Sequence, residues 1–184
     1  MSITKCIAVL AVGAIVCFTM LGLRTQAAAQ AGGPVTKATA QLIPTTKVES
    51  KVKGTVTFTK TPGGIHVHGE ISGLTPGEHG FHVHEFGVWN EDGMATGGHF
   101  NPTGAPHAGH DSPRRHVGDM GNIKADDSGV ATVDLDDTEM TFDGPTSILG
   151  RGLVVHAKAD DLKTQPSGDA GGRLAVGIIG VAKP

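Results

Sequence analysis

Apolar and polar residues alternate with a period of two along much of the chain after residue 34. Residues 52–58 place Val and Phe between Lys and Thr, and residues 65–71 place Ile and Val between His and Glu. The turn sequence Thr-Pro-Gly-Gly at 61–64 separates the two runs. Alternation on both sides of such a turn predicts a β-hairpin. Similar apolar runs predict further strands around residues 81–83, 131–135, 140–142, 153–155 and 174–178.

Two long segments interrupt this alternation, at residues 87–119 and 157–172. The chain shows no sustained helical period after its first thirty residues, and 28 of its 184 residues are Gly. Many short strands joined by glycine-rich turns predict an all-β sandwich or barrel. Long irregular segments in such a domain are usually functional, so we expect the chemistry to lie in these two loops.

The first thirty residues have a different character. Lys5 gives a positively charged start, residues 6–23 carry no charge, and an alanine-rich stretch follows Arg24. This order is typical of a secretory signal peptide, which we assign to residues 1–29. The chain is therefore predicted to be exported, to a periplasm or to the outside of the cell.

The boundaries of this leader allow alternatives. The rule of small residues at the cleavage site is met after Ala29 or Ala31. A short tether at 30–34 would then precede one domain at 35–184. The alternative is an uncleaved membrane anchor formed by residues 6–23, since eighteen apolar residues are just long enough to span a bilayer.

Composition changes once the leader is removed. Both cysteines, Cys6 and Cys17, lie in the leader, so the mature chain would have no disulfide. The whole chain has 15 basic and 18 acidic residues; losing Lys5 and Arg24 leaves 13 against 18, a net charge of −5. This balance, without a basic block, argues against a nucleic-acid-binding protein. Stability would come from core packing or from bound metal.

Histidine is unusually frequent, with ten residues. His82 and His84 stand two apart on a predicted strand, where both side chains project from one face and can converge on a metal ion. His66 and His68 have the same spacing. Their apolar neighbours must face the core, so we predict that these two lie on the surface.

The first long loop carries a second group of possible ligands. His99, His107, His116 and Asp119 offer three imidazoles and one carboxylate, a donor set suited to tetrahedral zinc. The alternative is a solvated, histidine-rich loop. His110 is not needed for four ligands, and we expect it to be exposed or in a weak surface contact.

Three further residues frame the second loop. His156 ends an apolar run, where a histidine is either a ligand or a core residue. Asp160 either caps a turn or accepts a hydrogen bond from a metal-bound imidazole. Arg173 is either a surface charge at the start of a strand or a guide for an anion beside the metal.

Together these segments resemble the copper/zinc superoxide dismutase family, from about residue 36 to residue 183. The resemblance is carried by the segments GFHVHEFG (80–87), GGHFNP (97–102), RHVGDMGN (115–122), GRGLVVHAKADD (150–161) and GGRLAVGIIGVA (171–182). It implies a Greek-key barrel of about eight antiparallel strands. It also implies a homodimer, because segments 150–151 and 178–182 are similar to those of dimeric members.

The resemblance also implies roles for individual residues. The implied copper ligands are His82, His84, His99 and His156. The implied zinc ligands are His99, His107, His116 and Asp119. His99 would bridge both ions as an imidazolate and take part in catalysis. Asp160 would link His82 to His107 through hydrogen bonds, Arg173 would guide the anion, and His79 would be structural.

The implied activity is disproportionation of superoxide by a copper ion that cycles between Cu(II) and Cu(I), beside a structural zinc ion. The alternative is a non-catalytic copper and zinc buffer or delivery protein on the same scaffold. A metal-dependent hydrolase is poorly supported, because Asp119 is the single carboxylate in the set. Superoxide is then the expected partner, with no nucleic acid and no stable membrane association after processing.

The sequence departs from the family pattern where most members carry a disulfide. Gly93, Met94 and Val176 occupy the corresponding positions, and none is a cysteine. We therefore expect the first loop to be held by zinc and packing, and to be loose in the metal-free protein. The second loop is also shorter than in typical eukaryotic members, with Lys163 its only cation between Asp161 and Arg173.

Overall fold

Nine β-strands and one turn of 3-10 helix form the regular structure of residues 33–183, the part of the chain that the computed structural model describes. The strands are β1 (Lys37–Pro44), β2 (Lys53–Thr61), β3 (Gly64–Ser72), β4 (Gly77–His84), β5 (Asp119–Ala125), β6 (Val130–Asp137), β7 (Gly152–His156), β8 (Arg173–Ile178) and β9 (Gly180–Val181). The helical turn is Met94–Thr96. The predicted leader and its cleavage sites lie outside the described residues.

The strands pair in the order β5-β4-β7-β8-β1-β2-β3-β6, and β9 pairs with β1. Every pair is antiparallel, and the eight strands form a nearly closed barrel. Since β4 returns beside β7 rather than beside β3, the connections are those of a Greek key. The predicted all-β Greek-key barrel of about eight antiparallel strands is confirmed.

The barrel interior is filled by the inward-facing residues of alternating strands. In the predicted hairpin, β2 and β3 pair from Lys53↔Ser72 to Thr61↔Gly64. Phe58 and Val67 are completely buried and belong to one hydrophobic core. This packing fixes the register, because a slip by one residue would turn the apolar side chains outward.

The structure differs from the sequence prediction at four strands. Two of them, β1 and β9, lie outside the apolar runs that predicted strands. Residues 140–142 form no strand, because the Asp137 carboxylate accepts the Met140 amide at 2.7 Å and turns the chain. The segment keeps a single isolated bridge between Thr141 and Ser147. Conversely, β5 begins at Asp119, at the end of the predicted irregular segment. Its glycine at position 121, with φ of 73°, hides the alternation.

Two loops connect the strands that flank the predicted chemistry. The first runs from residue 85 to residue 118, between β4 and β5. The second runs from residue 157 to residue 172, between β7 and β8, with the bounds predicted from the sequence. No helix among residues 33–183 is long and apolar enough to cross a membrane.

Candidate metal centre

Paired strands and the first loop place four histidines together. His82 and His84 lie at the end of β4, which pairs with β7, and His156 is the last residue of β7. His99 reaches them from the first loop through an isolated bridge to His84. All four side chains are buried, and their candidate ligand atoms lie within 4.8 Å of one another. We call them the first cluster.

Hydrogen bonds orient the rings of the first cluster. His84 Nδ1 donates to the Gly97 carbonyl at 3.0 Å, and His156 Nδ1 donates to the Gly171 carbonyl at 3.2 Å. The Nε2 atoms of these two rings therefore carry lone pairs, and they face each other at 3.2 Å. His82 Nδ1 is also buried without a hydrogen-bond partner among the described residues. Lone pairs that converge in this way fit a cation between them.

The second cluster consists of His99, His107, His116 and Asp119, and all four residues are buried. Asp119 Oδ1 lies 2.8 Å from His99 Nδ1, 3.0 Å from His107 Nδ1 and 3.2 Å from His116 Nδ1. The other oxygen, Oδ2, accepts the backbone amide of His116 at 3.0 Å. The loop thus folds around one carboxylate, with three ring nitrogens on a single oxygen.

His99 belongs to both clusters. Its Nδ1 faces Asp119, whereas its Nε2 is buried and has no hydrogen-bond partner within residues 33–183. The ring centroid of His99 lies 3.9 Å from that of His82. One imidazole therefore presents a separate nitrogen to each cluster.

Asp160 also connects the two clusters, from the second loop. Its Oδ2 accepts His82 Nε2 at 2.8 Å, and its Oδ1 accepts His107 Nε2 at 2.9 Å. Asn122 on β5 holds Asp160 in place: its side chain accepts the Asp160 amide at 2.7 Å and donates to the Asp160 carbonyl at 2.9 Å. Carboxylates that orient metal-binding imidazoles in this way raise their basicity as ligands.

Burial keeps the first cluster uncharged. It lowers the pKa of His82 to about 4, against the opposing effect of Asp160. It also lowers the pKa values of His84 and His156 well below the ordinary range, and that of His99 to a smaller extent. Desolvation disfavours the imidazolium form, so these rings offer lone pairs at neutral pH.

The second cluster has the opposite electrostatics. Burial alone would lower the pKa of His107, but the carboxylates of Asp119 and Asp160, which face its two ring nitrogens, outweigh it and raise that pKa to about 9. The imidazoles that face them hold the pKa values of both carboxyls well below their ordinary range, although burial opposes this. His107 is therefore protonated in the metal-free protein, and a bound cation would take the place of that proton.

Arg173 begins β8 and points along the first loop. Its guanidinium donates to the Gly93 carbonyl, to Thr96 Oγ1 at 2.8 Å and to the Gly97 carbonyl at 2.6 Å. Burial lowers its pKa, but guanidinium remains charged at neutral pH. An open cleft of about 680 Å³ is lined by Arg173 together with His84, His99 and His156. A small anion in this cleft reaches the first cluster beside a fixed positive charge.

The remaining histidines lie outside both clusters. His66 is partly exposed and His68 is exposed on β3. His110 is mostly buried, and its Nε2 lies 3.4 Å from an oxygen of the buried Asp137 carboxylate, whereas the sequence predicted an exposed position or a weak surface contact. His79 is buried behind the first cluster, where its Nδ1 donates to the His156 carbonyl at 2.8 Å. His79 thus positions the strand rather than a metal.

Three supporting residues escape the sequence analysis. Thr96 is fully buried under Arg173, Asn122 clamps Asp160, and Gln165 ties the second loop to the first. The Gln165 side chain accepts the His107 amide at 2.8 Å and donates to the His107 carbonyl at 2.8 Å. Asn122 and Gln165 bond backbone atoms distant in sequence, and Thr96 bonds the side chain of Arg173, so no local spacing predicts these contacts.

The donor chemistry distinguishes the clusters. The first offers four neutral imidazoles, which suit copper, and the second offers three imidazoles and a carboxylate, which suit tetrahedral zinc. Four ring nitrogens of the two sets are buried without hydrogen-bond partners among the described residues: His82 Nδ1, His99 Nε2, His107 Nδ1 and His116 Nδ1. Because unpaired buried nitrogens are costly, both sets fit a bound cation.

Comparisons with known proteins agree with this geometry. A crystal structure of the clock protein EA4 is similar to this chain with a TM-score of 0.74 and 41% sequence identity, over 82% of this chain and 97% of that one. The family model for copper/zinc superoxide dismutase (SODC) matches residues 52–179, which include both clusters and Arg173. The chain therefore belongs to the copper/zinc superoxide dismutase family, whose members bind copper and zinc.

Proposed function

We propose that this protein is a superoxide dismutase. Two superoxide anions and two protons would be converted into one dioxygen and one hydrogen peroxide. The observation that carries the proposal is the ring of His99, which offers one nitrogen to each cluster. The first cluster would hold copper through His82, His84, His99 and His156. The second would hold zinc through His99, His107, His116 and Asp119.

The bound copper would supply one-electron chemistry by alternating between Cu(II) and Cu(I), while the redox-silent zinc would remain structural. The residues provide the proton and the position. His99 Nε2, buried and unpaired among the described residues, is the atom at which a proton can be held and delivered to the reduced product. The opposite nitrogen, Nδ1, faces Asp119 and would be held by the zinc, which would tune the basicity of the ring.

Arg173 would attract and place the anion. Its guanidinium lines the cleft to the first cluster, and two carbonyls and a hydroxyl fix its plane. A fixed cation in a narrow cleft raises the association rate of a small anion by roughly 10- to 1000-fold. This local field would act despite the net charge of −3 of the whole chain.

The competing function is a metal buffer or delivery protein. The similar protein EA4 is named a clock protein and not an enzyme. Similarity alone therefore does not decide between the two functions. Arg173 favours the enzyme, because a metal store has no use for a guanidinium fixed by three hydrogen bonds beside the cleft.

The deciding experiment is stopped-flow decay of superoxide with the mature protein loaded with copper and zinc. We expect catalytic consumption, with many turnovers per copper. Consumption that stops after one equivalent per copper would contradict the proposal and support the buffer.

Two variants test the assigned roles. His99→Ala should abolish turnover, and its copper spectrum should no longer change when zinc is added or removed. Arg173→Ala should lower the rate and flatten its ionic-strength dependence while leaving the metal content intact. Arg114→Ala is the matched control, since Arg114 is exposed and lies outside the cleft. An unaltered salt profile in Arg173→Ala would argue against the guiding role.

We also propose that the protein forms a homodimer. Phe86, Val88 and Ile178 are each about half exposed, and the Ile178 side chain lies against Gly87. Exposed apolar side chains grouped in this way are typical of an interaction site. Phe86→Glu should convert the dimer into a monomer in light scattering, whereas Lys124→Glu on β5 should not. A monomeric wild-type protein would contradict this proposal.

Export is the last part of the proposal. Residues 1–29 would be removed during secretion, with cleavage after Ala29 or Ala31, and the protein would reside in a periplasm or outside the cell. Intact mass and N-terminal sequencing of the protein from fractionated cells test this. Recovery in the membrane fraction with residues 6–23 still attached would support the anchor instead.

A further inference from the structure

The outer face of the barrel carries a second concentration of imidazoles and carboxylates. In the β3–β6 pair, His66 lies opposite Asp136 and His68 lies opposite Asp134. Residues two apart on a strand project from the same side, and the intervening Val67 is fully buried. All four side chains therefore emerge together on the outside of the sheet. None of them belongs to the buried clusters.

Hydrogen bonding fixes the direction of one ring. His66 Nδ1 lies 2.9 Å from Asp136 Oδ1 and donates to it, which leaves Nε2 with the lone pair. That Nε2 faces Asp134 Oδ1 at 3.7 Å. A carboxylate on the far nitrogen of a histidine is the arrangement that orients and strengthens metal ligands.

The second ring is aligned with the first. The rings of His66 and His68 are 6.3 Å apart and only 9° from parallel. Candidate ligand atoms of His66, His68 and Asp134 all lie within 4.8 Å of one another. Two nitrogens and one oxygen can thus reach a single ion with little movement, and solvent is available to complete its coordination.

The surrounding charge favours a cation. On the same face, the nearest outward positions are Thr57 and Thr59 on β2 and Glu70 on β3, and Lys37 on β1 lies one strand further away. Segments 55–59, 66–70 and 132–136, which form this patch, contain no Lys or Arg. The carboxylates of Glu70, Asp134 and Asp136 therefore meet no basic side chain within the patch itself.

We propose that His66, His68 and Asp134 form a third, surface metal site for a divalent transition cation, with Asp136 as its positioning residue. Imidazole and carboxylate donors bind Cu²⁺ more tightly than Zn²⁺, so copper is the preferred occupant. The site is independent of the buried centre and of the activity proposed for it. It gives each chain a place for one solvent-accessible ion beyond the two buried ones.

The test uses mature protein whose buried sites are already filled with copper and zinc. Equilibrium dialysis against Cu²⁺, followed by metal analysis, should show one further equivalent per chain. Electron paramagnetic resonance should show that the added copper has nitrogen ligands and a signal distinct from that of the buried copper. Dialysis against Zn²⁺ should show the same stoichiometry with weaker affinity.

Variants identify the site. His68→Gln should lose the third equivalent, and Asp136→Asn should keep it with an affinity lower by roughly 10- to 100-fold. Asp134→Asn should weaken binding, while the matched control Asp143→Asn, an exposed carboxylate outside the patch, should not. The proposal is overturned if the filled protein takes up no further copper, or if His68→Gln retains the extra equivalent.

Discussion

The orientation of the buried histidines is decided ring by ring, through the nitrogen that does not face the cluster. His84 and His156 each give that nitrogen to a loop carbonyl, whereas His82 and His107 share the carboxylate of Asp160. The tautomers are therefore set before any metal arrives. In the metal-free protein the rings of the first cluster are therefore neutral and present lone pairs, whereas His107 carries a positive charge.

This exception gives the first prediction. Since the pKa of His107 is raised to about 9, zinc must displace a proton from it near neutral pH. Calorimetry in buffers of different ionisation heats should show release of about one proton per zinc, and none above a pH of about 9. Affinity for zinc should rise with pH over the same range.

The stability of the metal-free fold depends on pH in the opposite direction and falls as the pH rises. Protonated His107 stabilises that fold fully below its ordinary pKa of 6.5, and this contribution is lost as the pH rises through about 9. His107→Asn serves as the control and should release about one proton fewer. Equal release from both proteins would show that the proton comes from another group.

The second prediction concerns the hydroxyl under Arg173. Thr96→Val keeps the volume but removes the acceptor that Arg173 contacts at 2.8 Å. Hydrogen bonds to charged groups contribute about 1.5–3 kcal/mol, and part of this would remain through the two carbonyls. Superoxide consumption at low salt should fall by roughly two- to tenfold, with metal content unchanged. Thr103→Val, at an exposed loop position, should have the wild-type rate.

At the scale of the element, strands and loops contribute differently to the two clusters. Three residues of the first cluster stand on β4 and β7, but Asp119 is the only member of the second cluster on a strand. The three remaining ligands of the second cluster depend on the path of the first loop. The second loop supports that path through Asp160 and Gln165.

The third prediction tests how closely the two loops fit. Gly168 has a φ of 67°, and a Cβ added there would collide with the carboxylate of Asp160 and crowd His107 Nε2. Gly168→Ala should weaken zinc binding by more than about tenfold, because it displaces an orienting carboxylate. Chelator competition measures this affinity.

Gly144→Ala is the matched control for that substitution. Gly144 has a φ of 69°, but no atom lies within 4 Å of its added Cβ. The control thus carries the same backbone strain without the collision. Equal losses of zinc affinity in the two variants would show that strain, not contact with Asp160, is responsible.

The sequence predicts the strands and the cluster residues to different depths. Alternation predicts the β2–β3 hairpin because one face of each strand is buried, as with Val67. It does not predict β5, where Gly121 interrupts the pattern. The clustered histidines were predicted because their spacing matches a family motif, not because spacing alone brings His99 to His84. Asn122 and Gln165 were not predicted, since their partners are decided only when distant loops meet.

At the scale of the whole molecule, the described domain holds its shape without covalent cross-links. Residues 33–183 contain no cysteine, and Gly93 and Val176 pack where most family members carry a disulfide. A buried ion pair, Arg115 Nη2 to Asp137 Oδ2 at 2.7 Å, ties the first loop to the end of β6 instead. We therefore expect the metals and this ion pair to restrain the first loop, as a disulfide does in most family members.

The fourth prediction follows because bound metal, rather than a disulfide, is expected to stabilise the domain. A metal present at about 1,000 times its dissociation constant adds ~4 kcal/mol of stability. For a domain of this size that raises the melting temperature by about 8–16 °C. Calorimetry of the mature protein should show this difference between metal-loaded and metal-free samples. A reducing agent should not change the melting temperature of the metal-free sample, and a drop in that sample on reduction would contradict the predicted absence of a disulfide.

The first cluster stands mainly on strands and the second mainly on a loop. Shortage of copper and shortage of zinc would therefore change the protein in different ways. A chain deprived of copper keeps its contour, because β4 and β7 hold most of the first cluster whether or not the ion is present. A chain deprived of zinc would lose the ion that holds the first loop together, and residues of that loop line the cleft. Shortage of copper would therefore abolish the proposed activity but leave the fold in place, whereas shortage of zinc would distort the first loop.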